Sequence, residues 1–374
     1  MLFKTVKHYD VQTIGINMTV KSRFSVIVFC LLVSPITQSI AEQHDSGDYF
    51  AQEDKGIILG NSEHSGESAP HTVSVVRPNA IGTFENHTYW IYVGEQKNGN
   101  IDLWFAEDIE DKDTWTSYHS NPIISGNQAR WPTVLFDEEA FWMVHTVEYR
   151  EGAYSVMLNS TDGVNFSFVD NVYSDFTDTY PQGYFNPFLF NDPNTGNIIL
   201  LQQFQNDSVE QVVIKIADSV PSLIDAESIV IGDTSEGISS VAASMFFHNG
   251  TYWLLTEGAP SHPTNWSTFA YRSSTITGEY VEVANSPILD DNTACPCPYI
   301  EDDILYNFVC YEAGGFSSLW NVKLYKSTLK GDNLMEENTS NNENENLYNL
   351  LIPILIIGII VSIVLKSRKR MQTN

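Results

Sequence analysis

Five polar residues recur along the chain at nearly equal steps: Glu95, Glu148, Gln203, Glu257 and Glu312, separated by 53, 55, 54 and 55 residues. Four are carboxylates. A carboxylate pair held across a bond can divide the work of general acid and general base, and Glu257 and Glu148 are the candidates for that pair. The set as a whole offers acceptors for hydroxyl groups, with Trp131 as a flat stacking surface and Arg77 and Asn186 as further polar contacts. His262, in Ala259-Pro260-Ser261-His262-Pro263, adds a group able to shuttle a proton or act as a ligand. The carboxylates could instead hold a hard cation such as calcium, which takes about six to eight oxygens, although no Asp-x-Asp-x-Asp-Gly loop accompanies them. No other cofactor is expected.

The elements that must position these residues share their period. Arg77-Pro78, Trp131-Pro132, Asn186-Pro187, Ala242-Ala243 and Cys297-Pro298 open successive units, their second residues 54, 55, 56 and 55 apart. Each is followed by a turn and a second strand: Tyr89–Tyr92, Phe141–Val144, Ile198–Leu201, Tyr252–Leu255 and Tyr306–Val309. A third strand follows in every unit, and Asn121-Pro122-Ile123-Ile124 and Ser286-Pro287-Ile288-Leu289 read as fourth strands. Short β-branched and aromatic runs between turn residues, repeated in this way, predict an all-β chain folded as a five-bladed β-propeller. The fifth unit runs short of strands, and Gly56–Leu59 is expected to complete it and so remove an open edge. The recurring acids fall just past the second strands. On a propeller that places them around the channel mouth, on the face where the innermost strands begin.

The pattern Pro-x-aliphatic-Phe, turn, Tyr-Trp, strand, Asn-Pro-Ile-aliphatic resembles the five-bladed glycosidases over roughly residues 56–330. These are the family 43 arabinanases and xylosidases and the related family 32 invertases. The resemblance implies a polysaccharide or glycan partner, bound and hydrolysed at the mouth. In those families, however, the catalytic carboxylates sit on innermost strands, and the matching slots here hold Arg77, Trp131, Asn186, Val241-Ala242-Ala243 and Pro296-Cys297. Phe190–Asn197 (FNDPNTGN) resembles the invertase nucleophile signature, yet it falls between the first and second strands of unit three. The other units have turns there, and the expectation is a hairpin on the opposite face. Asn159–Phe166 resembles the Asp-box hairpin of sialidases, a structural element. The expected function is a membrane-anchored, glycosidase-like propeller. The alternatives are a non-catalytic surface module for glycan or protein, and a structural envelope glycoprotein.

The ends of the chain bear on location. Lys21 and Arg23 precede the apolar run Phe24–Val33, and Ser39-Ile40-Ala41 supplies small residues, so 1–41 is expected to be a cleaved signal peptide. After the ectodomain at 42–330 comes an acidic, Asn-rich stalk at 331–346. Residues 347–365 carry no charge and are long enough to span a bilayer, and the basic tail 366–374 places that end in the cytoplasm. A net charge of −28 argues against nucleic acid as a partner. Seven Asn-x-Ser/Thr sequons lie beyond the expected cleavage site, at Asn86, Asn159, Asn165, Asn206, Asn249, Asn265 and Asn338, and fit an exported protein. Cys30 leaves with the signal. Of the three cysteines left, Cys310 can pair with Cys295 or Cys297, and Cys297–Cys310 is taken as the candidate disulfide. A metal site built on Cys-Pro-Cys lacks a fourth ligand nearby in sequence.

Overall fold

The structure, a computed structural model, describes residues 49–329 except 61–69, 79–86, 96–98, 127–128, 138, 150–151, 174–182, 207–208, 234–240, 259–265, 291 and 313–319. The expected signal peptide, stalk, spanning segment and basic tail therefore lie outside the described residues. Among the described residues no helix is long and apolar enough to cross a membrane.

Among the described residues, twenty strands fall into five antiparallel sets of four. The first set is β2 (Pro70–Val76), β3 (Tyr89–Glu95), β4 (Ile101–Ala106) and β5 (Thr116–Ser117). The second is β6 (Ala129–Phe136), β7 (Phe141–Tyr149), β8 (Gly152–Ser160) and β9 (Ser167–Tyr173). The third is β10 (Gly183–Asn191), β11 (Ile198–Asn206), β12 (Val209–Ala217) and β13 (Ile229–Asp233). A single parallel pair, Gly183 with Ala153, links it to the second. The fourth is β14 (Val241–His248), β15 (Thr251–Gly258), β16 (Ser267–Ser273) and β17 (Val281–Glu282). The fifth is β18 (Thr293–Glu301), β19 (Ile304–Glu312) and β20 (Trp320–Thr328), completed by β1 (Glu53–Leu59). As expected, the strand that completes it comes from the front of the chain, with Glu53 opposite Lys326 and Leu59 opposite Val322.

Strand period explains why the second strands carry unbroken apolar runs such as Tyr89–Val93 and Ile198–Leu201. Successive side chains point to opposite faces, and each face meets a different neighbouring set. In β3, Ile91 joins Leu59, Phe308 and Leu324 between the fifth and first sets. The adjacent Tyr92 joins Leu103 and Met143 between the first and second. In β11, Leu200 packs with Val144 and Met157, while Ile199 and Leu201 pack with Met245 and Leu254. Phe246, Trp253, Leu255 and Leu305 fill the junction of the fourth and fifth sets. Each innermost strand also packs against the next, in the order β2, β6, β10, β14, β18 and back to β2.

The outermost strands behave as edges. Two of them, β5 and β17, are only two residues long, which limits the unpaired backbone on offer. The exposed large apolar side chains Ile57, Phe168, Ile229, Val230 and Val281 all lie on outermost strands. Asn121–Ile124 and Ser286–Leu289 are not the fourth strands expected from sequence. Both carry a cis X-Pro bond and come after the true outermost strands. They run back to the third strands, where Ile124 bridges Ile101 and Leu289 bridges Thr268.

One buried titratable group inside a junction has a measurable consequence. His145 on β7 is 5% exposed, and its Nδ1 lies 3.1 Å from the Thr146 carbonyl. Burial lowers its pKa to about 4. The folded chain therefore holds His145 neutral, while the unfolded chain takes up a proton below its ordinary pKa of about 6.5. The stability present above that pH is lost as pH falls toward 4, by up to about 3 kcal/mol. Urea unfolding at pH 7.5 and pH 4.5 should show this loss, and His145→Gln should remove most of the difference between the two midpoints.

Candidate binding site at the channel mouth

Every innermost strand is interrupted near its start by a register shift: at Pro70/Thr72, Arg130/Thr133, Phe185/Phe188, Val241/Ser244 and Ala294/Cys297. These are β-bulges, which bend a strand and re-aim its side chains. In four sets the first bulged residue has a left-handed backbone: Trp131 (φ 52°), Asn186 (φ 49°), Ala242 (φ 46°) and Cys295 (φ 47°). None is glycine, so the surrounding structure must hold each of them in place. In the first set the extra residue is His71.

The bulges correct two of the sequence-based slots. In the first set the equivalent of Trp131 is His71, not Arg77, because β2 begins at Pro70. In the fifth it is Cys295, not Cys297. Arg77 follows the far end of β2, where its guanidinium pairs with Glu301 and lies 5.8 Å from the Tyr89 ring centroid. Arg77 is thus at the opposite end of the inner strands from Trp131.

The recurring acids are also redistributed. The residue paired with the position just before each bulge is Glu95, Thr146, Gln203, Glu257 and, in the fifth set, Cys310. Glu148 and Glu312 are each two residues further along their strands. Gln203 and Glu257 are buried at 3% and 6% exposure, and both are engaged by backbone. Gln203 Oε1 accepts from Asn186 Nδ2 at 3.0 Å and from Ala242 N–H at 3.3 Å. Glu257 Oε2 accepts from Cys295 N–H at 2.5 Å. The Cys310 thiol donates to the His71 carbonyl. One rule covers all three junctions: the polar residue on a second strand bonds the backbone of the bulged residue in the next set. The bulge breaks the ladder and strands a backbone group, and the neighbouring side chain satisfies it.

This arrangement leaves a smaller group at the rim. Arg130 Nη1 lies 2.8 Å from Glu148 Oε2, and its guanidinium carbon is 5.8 Å from the Trp131 ring centroid. The Trp131 indole N–H donates to His71 Nδ1 at 3.2 Å, and the ring stands edge-on to Phe185 at 6.0 Å. Asn186 Oδ1 has no hydrogen-bond partner among the described residues. Glu95 is buried and accepts from Asn100 Nδ2 at 2.9 Å. Burial pushes the Glu257 carboxyl up to about 7, against the opposing pull of the Cys295 N–H and His71. His262 and the Glu312 side chain lie outside the described residues. The sequence missed Arg130 because it immediately precedes the slot being compared, and His71 because the first unit is longer than the others.

Among the described residues, two cavities of different size lie between the inner strands. At the bulges, one of about 20 Å³ is lined by Trp131, Asn186, Ala242 and Cys295, with room for roughly one water. Toward the other end the space widens to about 450 Å³. That larger cavity is lined largely by apolar groups such as Leu135, Phe190, Met245 and Phe247, and Arg77 is the charged residue in its wall. Size alone favours it as a ligand site, but orienting polar groups converge at the bulge end, and a binding site needs them.

The FNDPNTGN stretch lies at the far end too, in the β10–β11 turn. Asp192 Oδ1 accepts from Asn194 N–H, Oδ2 accepts from the Thr195 and Tyr252 hydroxyls, and Gly196 takes a φ of 75°. The Asp-box-like turn has the same character. Asp162 accepts from Val164, Asn165 and Ser160, and those bonds outweigh its burial and lower its pKa to about 2.

Near the axis, His71, Cys295 and Cys310 present ligand-type atoms all within 4.8 Å of one another. All three described cysteines are free thiols, so the candidate Cys297–Cys310 disulfide is not formed. Register explains this: Cys310 pairs with Ala294, next to Cys295, while Cys297 faces Phe308 two positions away.

No family model and no curated protein sequence matches the chain. Solved structures do match. The catalytic domain of a Coprinopsis cinerea GH62 α-L-arabinofuranosidase aligns at 13% identity and TM-score 0.54, over 74% of this chain and 96% of that one. A thermostable family-43 glycoside hydrolase aligns at 12% and 0.52, over 69% and 89%. An exo-β-1,3-galactanase from Phanerochaete chrysosporium, solved with galactose, aligns at 12% and 0.52, over 75% of this chain and 65% of that one, so the match spans less than two thirds of the galactanase. At these identities the likeness establishes the fold, that of the β-propeller glycoside hydrolases.

Proposed function

We propose that this chain is a carbohydrate-binding propeller of five blades, glycosidase-like in fold, which takes its ligand at the bulge end of the channel. The observation that carries this reading is the division of labour among the polar residues there. Gln203 and Glu257 are committed to backbone groups of the next set, whereas Trp131, Asn186, Arg130 and Glu148 remain at the rim. An indole face and a partly exposed charged pair suit a sugar's apolar faces and hydroxyls. The fold likeness supports the ligand class, since the galactanase was solved with galactose and a Podospora anserina α-L-arabinofuranosidase of the same fold with cellotriose. The uncharged segment 347–365 followed by Lys366, Arg368, Lys369 and Arg370 supports anchoring at a membrane, with the propeller outside. Lys21 and Arg23 ahead of the apolar run Phe24–Val33 support export.

A second reading, hydrolysis with Glu257 as acid and Glu148 as base, draws on the burial of Glu257 in a chain of this fold. A glycan array probed with the purified full-length chain in detergent tests both. Binding to a defined class of glycan is expected, and Trp131→Ala should weaken it about tenfold, the loss of a stacking contact worth roughly 1 kcal/mol beyond its area. Retention of no glycan would sink the proposal. Release of reducing sugar that stops in Glu257→Gln would replace it with the hydrolase reading.

A further inference from the structure

Beyond the bond from the Cys310 thiol to the His71 carbonyl and that from Trp131 to His71 Nδ1, the His71, Cys295 and Cys310 cluster has a geometry of its own. Three strands from two sets bring it together: β2 supplies His71, β18 supplies Cys295 and β19 supplies Cys310. Cys295 is 5% exposed and Cys310 is 1% exposed, so both sulfurs lie in the interior. His71 Nδ1 stands 3.8 Å from Cys295 Sγ. A tetrahedral centre with a metal–sulfur bond of about 2.3 Å and a metal–nitrogen bond of about 2.0 Å holds its N and S ligands roughly 3.5 Å apart. The observed separation is thus close to what two ligands of one thiophilic ion require.

We infer that His71, Cys295 and Cys310 form a site for a thiophilic divalent cation, zinc by the chemistry of its donors. Two thiolates and an imidazole are a zinc donor set, and oxygen-seeking calcium or magnesium would find no match in it. Glu257, hydrogen-bonded to Cys295 N–H, belongs to the layer that orients the ligands. Binding requires loss of the protons carried by the two thiols. It also requires the Nδ1 lone pair, so the Trp131 indole N–H, now bonded to that nitrogen, is released when the ion enters. The site joins the first set to the fifth, the junction at which the two ends of the described chain meet.

The test uses the full-length chain, reduced, stripped with a chelator and titrated with zinc alone and with cobalt alone. About one equivalent of zinc per chain, sulfur-to-cobalt charge-transfer absorption and a change in tryptophan fluorescence are expected. His71→Ala and Cys310→Ser should each lower affinity at least a hundredfold, and Cys297→Ser should leave it unchanged. Where a ligand variant fails to fold, the parent chain still decides. Failure to bind either ion, or cobalt absorption without sulfur character, overturns the inference. So does a native Cys295–Cys310 disulfide, seen by mass spectrometry of the unreduced chain. Glycan binding is read separately on the array, so loss of one result leaves the other standing.

Discussion

Asp192→Ala is expected to destabilise the protein by about 3 kcal/mol while leaving glycan binding at 25 °C unchanged. The residue is 1% exposed. Its carboxylate accepts from Asn194 N–H at 3.0 Å, from Thr195 Oγ1 at 2.7 Å and from Tyr252 Oη at 2.8 Å. Tyr252 is 2% exposed, so truncation would strand its hydroxyl away from water, whereas the exposed Asn194 and Thr195 donors turn to solvent; bonds to a charged group are worth roughly 1.5–3 kcal/mol each, without simple additivity. Tyr252 belongs to β15, so the side chain that shapes one turn also holds the next set. Tyr252→Phe should cost less, about 1 kcal/mol, and a double-mutant cycle should show coupling between the two. The measurement is a pair of denaturation curves beside the array. A variant that melts normally but no longer binds or cleaves glycan would make Asp192 a reactive group after all.

Deleting Glu53–Leu59 should have a larger effect: no soluble, folded propeller. Ile58 and Leu59 are 3% and 0% exposed and sit in the core between the fifth and first sets. Leu59→Ala alone should cost about 2–5 kcal/mol, and removal of β1 also bares the outer edge of β20, a template for association. Expression yield and size-exclusion chromatography would show loss or aggregation, and a synthetic peptide of residues 49–60 should restore part of the monomer. A deleted chain that remains monomeric and melts unchanged would show that closure by β1 contributes nothing.

Sequence carried the class, the period and the source of the closing strand, because each depends on pattern alone. The unbroken apolar runs Tyr89–Val93 and Ile198–Leu201 reflect two buried faces, and Gly56–Leu59 matched the missing strand in composition. The site was less legible. A bulge inserts residues without any fixed signature, so the slots in the first and fifth units were misjudged by six and two positions, and Arg77 and Cys297 stood in for His71 and Cys295. Equal spacing also suggested that Glu148 and Glu312 were equivalent to Glu257, whereas pairing places Thr146 and Cys310 at that level. Whether a polar side chain faces a ligand or satisfies a neighbouring backbone group depends on contacts between sets. The repeat of any one set does not contain them.

The pairing of Glu53 with Lys326 also has a temporal side. Synthesis proceeds from the N-terminus at about 5–20 residues per second, so β1 waits on the order of tens of seconds for its partner. Throughout that wait Gly56-Ile57-Ile58-Leu59 is an apolar segment with no mate, and the charged run Glu53-Asp54-Lys55 beside it is the type of flank that discourages premature association. Contacts this distant in sequence also slow folding. Closure by the first strand therefore works as a check on completeness: a chain released before Thr328 cannot finish its last sheet, and it keeps an exposed edge by which quality control can recognise it.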